Sequence, residues 1–285
     1  MIFWGRDPFK CKAGADGPPI GILAGGGDLP ERVAAAIQRR GCKVLTLAVG
    51  RPDDDPLKIS SVRYETTGPQ EVGRAIEILK ESRVKYLALA GKMPRTRLLA
   101  DSYRPDTDAK TILRRAGAGG DDRLLKAVAA YLRLRGITVL GLHEILREHV
   151  TPRGPIGTPG LTAEEMKDAR FGLQMARRIG RLDIGQAVIV KNGTVIAVEA
   201  VEGTDRAIRR IESLGVTGAV VVKAAKPQQD LRFDIPVVGP DTLESCRAAA
   251  CSVLACEAGR TLLVDPNEMA RMAGKYGIKL VGVAS

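Results

Sequence analysis

Aromatic residues are scarce in this 285-residue sequence, at 4% with a single tryptophan. Proteins that bind single-stranded nucleic acid stack bases on aromatic side chains, and no zinc-finger or RNP-type signature is present. We therefore expect no nucleic-acid partner, although Lys and Arg exceed Asp and Glu by 44 − 33 = 11. That excess suits another anionic partner, such as a phosphorylated small molecule or a membrane surface.

Zinc ligands are also few. The two histidines, His143 and His149, lie close together, and the five cysteines are irregularly spaced without a CxxC pair. Structural zinc sites need four Cys or His ligands at regular spacing. A catalytic metal is therefore expected to be a hard cation held by carboxylates and phosphate, which is typical of Mg²⁺ and possible for Mn²⁺.

No apolar run reaches the roughly 18 residues that a membrane-spanning helix needs. Residues 1–18 contain Arg6, Asp7, Lys10 and Lys12 and lack the continuous apolar stretch of a signal peptide. We interpret residues 1–18 as a poorly ordered extension and expect a cytoplasmic protein.

The first half of the chain alternates strand-like and helix-like segments, beginning with Ile20–Ala24 and a helical pattern from Pro30 to Arg40. Such alternation predicts an α/β fold with parallel strands. The Pro- and Gly-rich run Thr151–Gly160 marks either a domain boundary or an ordered active-site loop. In the second half, Asn192-Gly193 between two β-branched runs predicts a hairpin.

A glycine-rich turn, Gly25-Gly26-Gly27-Asp28, follows the first strand and precedes Pro30. Glycines at such a turn let the backbone approach a phosphate, and a helix N-terminus supplies free N–H groups. Pro30 stands where a dinucleotide-binding fingerprint needs a third glycine, and Asp28 could cap the helix. A tight turn without a ligand is the alternative.

Two later segments are rich in charge. Glu199, Glu202 and Asp205 crowd a predicted strand-to-helix turn and could bind a cation or position water, although capping by Thr204 or Asp205 would also explain them. In the second segment, Lys223, Lys226 and Arg232 could clamp a diphosphate while Asp230 and Asp234 serve a metal ion or a water. Asp234 is expected to open an apolar strand, residues 235–238. A solvated loop is the alternative.

These motifs resemble the LpxI family of UDP-2,3-diacylglucosamine pyrophosphatases, over a span from about Ile20 to Gly282. The stretches that carry the resemblance are Ile22–Pro30, Gly91-Lys92, Gly120–Asp122, Thr151–Gly154, Ile179–Gln186, Val198–Asp205 and Lys226–Asp234.

The resemblance implies a Rossmann-like N-terminal domain, which we assign to residues 19–150, and a distinct α/β C-terminal domain, residues 151–285, with substrate bound between them. It implies Mg²⁺-dependent hydrolysis of UDP-2,3-diacylglucosamine to UMP and 2,3-diacylglucosamine 1-phosphate (lipid X) during lipid A biosynthesis. It further implies that Asp234 is catalytic.

The motifs and the resemblance together predict the other site residues. Substrate binding is assigned to Gly25, Gly26, Gly27, Asp28, Lys92, Asp122, Thr204, Lys223, Lys226, Gln229 and Arg232, and metal binding to Glu202, Asp205 and Asp230. We also expect transient contact with the inner-membrane surface and a possible homodimer. Two other functions stay open: a nucleotide-sugar-binding or regulatory protein without turnover, and an NAD(P)-dependent oxidoreductase.

Overall fold

The computed structural model describes residues 17–91, 103–117, 121–232 and 234–284, without the side chains of residues 121 and 122. The chain forms two compact units. The first contains the described residues up to Leu146 together with Asp230–Asp234, and the second contains Arg147–Gln229 and the residues from Ile235 onward. The predicted N-terminal extension lies almost entirely outside the described residues.

The first unit is built on a five-stranded sheet in which all neighbouring strands are parallel, in the order β3-β2-β1-β4-β5. Its central strands are almost continuously apolar and buried, as expected of a parallel sheet covered on both faces. The strands are β1 (Ile20–Ala24), β2 (Val44–Ala48), β3 (Arg63–Thr66), β4 (Tyr86–Ala90) and β5 (Thr138–Val139).

The helices of this unit bury one apolar face against the sheet. Three of them pack their leucine, isoleucine and alanine side chains onto Leu45, Leu47, Leu87 and Leu89. The helices are α1 (Leu29–Arg39), α2 (Leu57–Ser60), α3 (Val72–Glu81), α4 (Thr107–Ala116), α5 (Asp121–Arg133) and α6 (Leu142–Ile145).

The start of α1 differs in one respect from the sequence prediction. Pro30 lies in the first turn, where its missing N–H costs nothing. Asp28 occupies the N-cap position but makes no capping hydrogen bond, since its backbone is helical whereas a capping residue is normally extended. Its carboxylate accepts a hydrogen bond from Arg32 Nε at 2.9 Å.

The second unit contains a six-stranded mixed sheet in the order β6-β13-β11-β9-β7-β8 and a two-stranded pair, β10-β12. Neighbours β9, β11 and β13 are parallel, whereas β7 runs antiparallel to both β8 and β9. The strands are β6 (Gly154–Pro155), β7 (Ala187–Lys191), β8 (Thr194–Val198), β9 (Val220–Lys223), β10 (Val237–Val238), β11 (Val253–Glu257), β12 (Leu262–Leu263) and β13 (Lys279–Val283).

Alternate residues of this sheet face two separate cores. One face, including Ile189 and Val221, packs against three helices, and the other, including Val188 and Val222, packs against a long helix. This alternation follows from the two-residue period of a strand. The helices are α7 (Ala163–Arg181), α8 (Thr204–Arg209), α9 (Pro240–Ala248) and α10 (Pro266–Tyr276).

The predicted Asn-Gly hairpin is confirmed. Asn192 and Gly193 have φ of 49° and 73°, the left-handed conformation that a two-residue hairpin turn requires. The buried carboxylate of Asp168 on α7 accepts hydrogen bonds from both turn N–H groups, at 2.8 and 2.7 Å. The hairpin is therefore anchored to the long helix.

The α/β fold with a parallel sheet in the N-terminal half is confirmed, but one predicted strand is wrong. Asp234 does not open a strand, because only Val237 and Val238 pair, and Pro236 has no N–H to donate to a ladder. Over the described stretches of the chain, no helix is long and apolar enough to cross a membrane.

Candidate functional site

The glycine-rich turn lies at the switch point of the first sheet. The chain leaves β1 toward β2 and β3 on one side and returns to β4 on the other, so the carboxyl ends of β1 and β4 are adjacent. Ligands of open α/β sheets bind at this point. The Gly25 N–H donates to the carbonyl of Ala90 at 2.8 Å, which joins the turn to the end of β4.

Gly91, the residue that follows β4, makes this close approach possible. Its φ is +91°, and a Cβ placed on it would lie 2.7 Å from the Gly26 carbonyl oxygen and 2.8 Å from that of Gly25. Any side chain at Gly91 would displace the turn, because both obstacles are backbone atoms.

Arg51, in the loop after β2, holds the glycine-rich turn from one side. Its side chain is 4% exposed, and its Nη1 donates to the carbonyl oxygens of Gly25 and Gly27 at 2.6 and 3.1 Å. In a trans peptide the C=O and N–H point in opposite directions. The N–H groups of Gly26 and Asp28 therefore point away from Arg51.

Two carboxylates hold the Arg51 side chain in position. Asp55 accepts from its Nε and Nη2 at 2.6 and 2.9 Å, and Glu31 pairs with Nη2. Burial alone would raise the pKa of Asp55, but hydrogen bonds from Arg51 and from the Tyr64 hydroxyl outweigh it and lower that pKa. Burial, reinforced by Asp55, raises the pKa of Tyr64 to about 12.

An apolar cavity of about 440 Å³ lies within the first unit, beside this turn. It extends between the sheet and helices α3, α4 and α5, and Gly25 and Gly91 contribute to its lining. The rest of the wall is mainly Leu, Ile, Val and Ala side chains, and among the described residues that line it Asp234 is the charged one. The cavity falls within the size range of small-molecule sites.

Asp234 reaches this wall because the segment Asp230–Asp234 belongs to the first unit. The Leu142 N–H donates to the Arg232 carbonyl at 3.0 Å, and His143 Nδ1 lies 3.1 Å from the Leu231 carbonyl oxygen. A carbonyl cannot donate, so Nδ1 carries the proton in that hydrogen bond. The Asp234 N–H closes a turn onto the Asp230 carbonyl at 3.1 Å.

Asp230 was predicted to bind a metal ion and Arg232 to bind substrate, and in the structure their side chains bind each other. Arg232 Nε and Nη2 donate to the Asp230 carboxylate at 2.9 and 2.6 Å, and this pairing lowers the pKa of Asp230.

In the second unit, Thr204 and Lys223 are buried in one hydrogen-bonded chain. Lys223 Nζ donates to the Thr204 hydroxyl at 3.0 Å, and that hydroxyl donates to Glu199 Oε1 at 2.8 Å. Glu199 Oε2 accepts the Gln186 N–H at 3.0 Å. The structure thus joins the two predicted charged segments through Lys223, Thr204 and Glu199.

Lys226 and Gln229 lie in the loop that follows β9. Gln229 Oε1 accepts the Lys226 N–H at 3.0 Å and closes a turn, while Lys226 Nζ pairs with Asp183. Near the start of this loop, the Ala225 N–H donates to the buried carboxylate of Glu257 at 2.8 Å.

The other two predicted metal ligands have different partners. Glu202 pairs with Arg210 at 2.9 Å, and Asp205 accepts from the Thr242 hydroxyl at 2.9 Å. Among the residues that the structure describes, no three His, Cys, Asp or Glu side chains are grouped so that they could hold a metal ion. Lys92 lies outside the described residues, and so does the side chain of Asp122, whose backbone is in α5.

Sequence reasoning missed Arg51, Asp55 and Glu257. The available signal was position for Arg51 and Glu257, which lie at or shortly after the carboxyl end of a strand, where parallel sheets place ligands. Arg51 contacts the carbonyls of Gly25 and Gly27, and Glu257 accepts the N–H of Ala225. These partners are backbone groups, so no sequence pattern marked them.

Comparison with known proteins gives matches over nearly the whole chain. The LpxI N-terminal domain family matches residues 19–149, and the LpxI C-terminal domain family matches residues 152–281. A protein of Caulobacter vibrioides named UDP-2,3-diacylglucosamine pyrophosphatase LpxI is 34% identical over 277 residues, which cover 93% of this chain and 97% of that protein. The solved structure of the ADP complex of purK, an N5-carboxyaminoimidazole ribonucleotide synthetase, is 14% identical in a match that covers 82% of this chain and 45% of that chain. Its TM-score of 0.27 is too low to indicate a shared fold.

Proposed function

Because the chain belongs to the LpxI family, we propose that it hydrolyses the pyrophosphate bond of UDP-2,3-diacylglucosamine. The products are UMP and 2,3-diacylglucosamine 1-phosphate, and the reaction serves lipid A biosynthesis. The name of the Caulobacter vibrioides relative supports the proposal, because the match covers nearly the full length of both chains.

The apolar cavity beside the glycine-rich turn is the observation in this structure that carries the proposal. An acylated substrate needs an apolar volume next to groups that handle a diphosphate. The cavity brings apolar walls, the Gly25 turn and Asp234 together in one place. A nucleotide sugar without acyl chains would need no such volume.

Asp234 is proposed to act on the attacking water. An ionised carboxylate accepts a hydrogen bond from water, orients it toward phosphorus and can take its proton. The water attacks the phosphorus on the sugar side and UMP leaves. The N–H groups of Gly26 and Asp28, aimed away from Arg51, are suited to bind the negative phosphate oxygens.

Dependence on Mg²⁺, or Mn²⁺, is part of the proposal. Mg²⁺ usually keeps several waters and binds through one or two carboxylates and substrate phosphates, so a cage of three protein ligands is not required. Asp205 fits this role, because Thr242 occupies one of its carboxylate oxygens and no hydrogen bond within the described residues occupies the other. Glu202 and Asp230 are the further candidates. A bound cation would neutralise the diphosphate charge.

The test is release of UMP from UDP-2,3-diacylglucosamine, with UDP-N-acetylglucosamine as the matched substrate without long acyl chains. We expect turnover of the acylated substrate only, lost in EDTA, restored by Mg²⁺ and resistant to zinc-specific chelation. Binding without UMP release would favour the regulatory alternative. Binding of a nicotinamide cofactor would favour the oxidoreductase, and full activity in EDTA would reject the metal requirement.

We further propose that the protein works in the cytoplasm and contacts the anionic inner-membrane surface transiently, since its substrate resides there. The net charge of +11 supports this contact. A homodimer stays a prediction, which light scattering of the purified chain would test.

A further inference from the structure

A charged cluster at the carboxyl end of β11 includes none of the residues to which the proposed function assigns a role. Glu257, the last residue of the strand, has a side chain that is 1% exposed. Its Oε1 accepts a hydrogen bond from Arg177 Nη2 at 2.5 Å and lies 3.3 Å from Arg260 Nε. Its Oε2 accepts the Ala225 N–H at 2.8 Å.

The cluster carries surplus positive charge. Two guanidinium groups meet one carboxylate, and among the described residues neither Arg177 nor Arg260 has another carboxylate within ion-pair distance. The arginine side chains are 32% and 36% exposed, whereas the carboxylate is shielded from solvent. An anion arriving from solvent would therefore meet the two cations and not the buried Glu257 charge.

The position of the cluster also favours a ligand. β9 and β11 are parallel neighbours, so the loop after β9 and the turn after β11 lie at the same edge of the second sheet. That loop contains Lys226, and Arg260 Nη2 lies 3.5 Å from the Lys226 carbonyl oxygen. The carboxyl edge of a parallel sheet is where α/β domains bind ligands.

We propose that Arg177 and Arg260 form a phosphate-binding subsite, with Glu257 holding both guanidinium groups in place. Guanidinium groups bind phosphate oxygens through paired N–H donors. Glu257 and, for Arg260, the Lys226 carbonyl occupy only part of each fork. The proposal rests on the proposed function for its ligand class, which is the phosphate of a nucleotide monophosphate or of a sugar 1-phosphate.

A purely structural role makes a different prediction. If the arginines only neutralise Glu257, their replacement lowers stability and leaves phosphate affinity unchanged. If they bind phosphate, affinity falls in a protein that still folds, and the loss is greater at low salt, where the electrostatic attraction is least screened.

The experiment is calorimetric titration of the full chain with two probes, UMP and glucosamine 1-phosphate, using Arg177→Gln and Arg260→Gln. Arg271→Gln is the matched control, because Arg271 also pairs with a carboxylate, Glu268, but lies on the exposed face of α10. We expect Kd for at least one probe to rise roughly tenfold or more in both cluster variants, as for loss of a charged hydrogen bond, with little change in the control. The probe that is affected identifies the phosphate.

Arg177→Lys provides the second variant if Arg177→Gln does not fold. It keeps the charge but loses the planar fork, so we expect weakened binding with partial retention. Unchanged affinity for both probes in the folded variants, or no binding of either probe by the unaltered chain, would overturn the subsite. Absence of UMP release by the unaltered chain would instead reject the proposed hydrolysis, whatever the titrations give.

Discussion

Asp234 combines a backbone role with a side-chain role. Its N–H closes a turn onto Asp230, which any residue except proline could do, whereas a carboxylate beside the apolar cavity is particular to Asp or Glu. Asp234→Asn keeps the shape and removes the charge. We expect kcat for UMP release to fall by roughly 10² or more while substrate binding persists, as for loss of a positioned acid–base group.

Asp54→Asn is the control for this variant, because Asp54 is an exposed carboxylate of the same unit. Its kcat should match that of the unaltered chain, and both variants should keep their Tm. A folded Asp234→Asn protein with most of its kcat would remove Asp234 from the mechanism and direct attention to Glu202 and Asp205.

Arg51 supports the glycine-rich turn through contacts that no other residue type reproduces. Its guanidinium serves two carbonyls and two carboxylates at once. Arg51→Gln leaves the buried Asp55 charge without its ion-pair partner, which costs about 3–5 kcal/mol of unfolding free energy in comparable pairs. We expect urea unfolding to show this loss of unfolding free energy. We also expect a higher KM for the proposed substrate, because the glycine-rich turn is no longer held in place.

Arg63→Gln is the comparison, since Arg63 makes ion pairs with Glu65 and Glu81 nearer the surface. Its stability and KM should change much less. Equal effects of the two substitutions would mean that Arg51 has no special part in holding the turn.

The Arg51–Asp55 pair also predicts a pH dependence. The pKa of Asp55 is lowered in the folded state, so its stabilising contribution is complete above the ordinary carboxyl value of about 3.9 and disappears as pH falls through the lowered value. The unfolding free energies of the unaltered chain and Asp55→Asn should therefore differ most near neutral pH and converge below about pH 4. A difference that stays constant from pH 7 to pH 3 would contradict this.

At the level of elements, helices α3, α4 and α5 stand off the first sheet far enough to leave the cavity. Ala75 of α3 lines it, and Ala75→Leu would fill part of the volume without adding a polar group. We expect a higher KM for the diacylated substrate at little cost in Tm. Measured KM values for substrates of decreasing acyl length should approach one another in this variant.

Ala130→Leu, the same change at an exposed position of α5, supplies the control and should leave KM unaltered. If Ala75→Leu and Ala130→Leu behave alike, the cavity is not the acyl site. That result would remove the structural support for the proposed hydrolysis, which would then rest on the family match alone.

For the whole molecule, charge governs the predicted membrane contact. A net charge of +11 should attract the chain to vesicles that contain anionic phospholipid, with binding that weakens as salt rises. Co-sedimentation should be high at about 0.02 M salt and low at about 0.5 M, while neutral phosphatidylcholine vesicles serve as the control. No binding to anionic vesicles at low salt would favour substrate capture by diffusion.

The sequence predicted those features that depend on neighbouring residues. Alternating apolar segments indicated the parallel strands, Asn192-Gly193 indicated the hairpin, and Gly25–Gly27 indicated the turn at the end of β1. Each of these follows from local geometry: the two-residue period of a strand, the positive φ of a hairpin turn, and the close approach that glycine permits. The family resemblance added the proposed activity and the importance of Asp234.

Tertiary structure decided which distant residues meet. Asp230–Asp234 joins the first unit through hydrogen bonds from Leu142 and His143, about 90 residues earlier in the chain, so no local pattern could indicate it. Arg51 and Glu257 act on backbone atoms, which every residue possesses and no sequence motif marks. The predicted strand at Asp234 was wrong for a related reason: pairing depends on a partner strand, and β12 pairs with only two residues of that run.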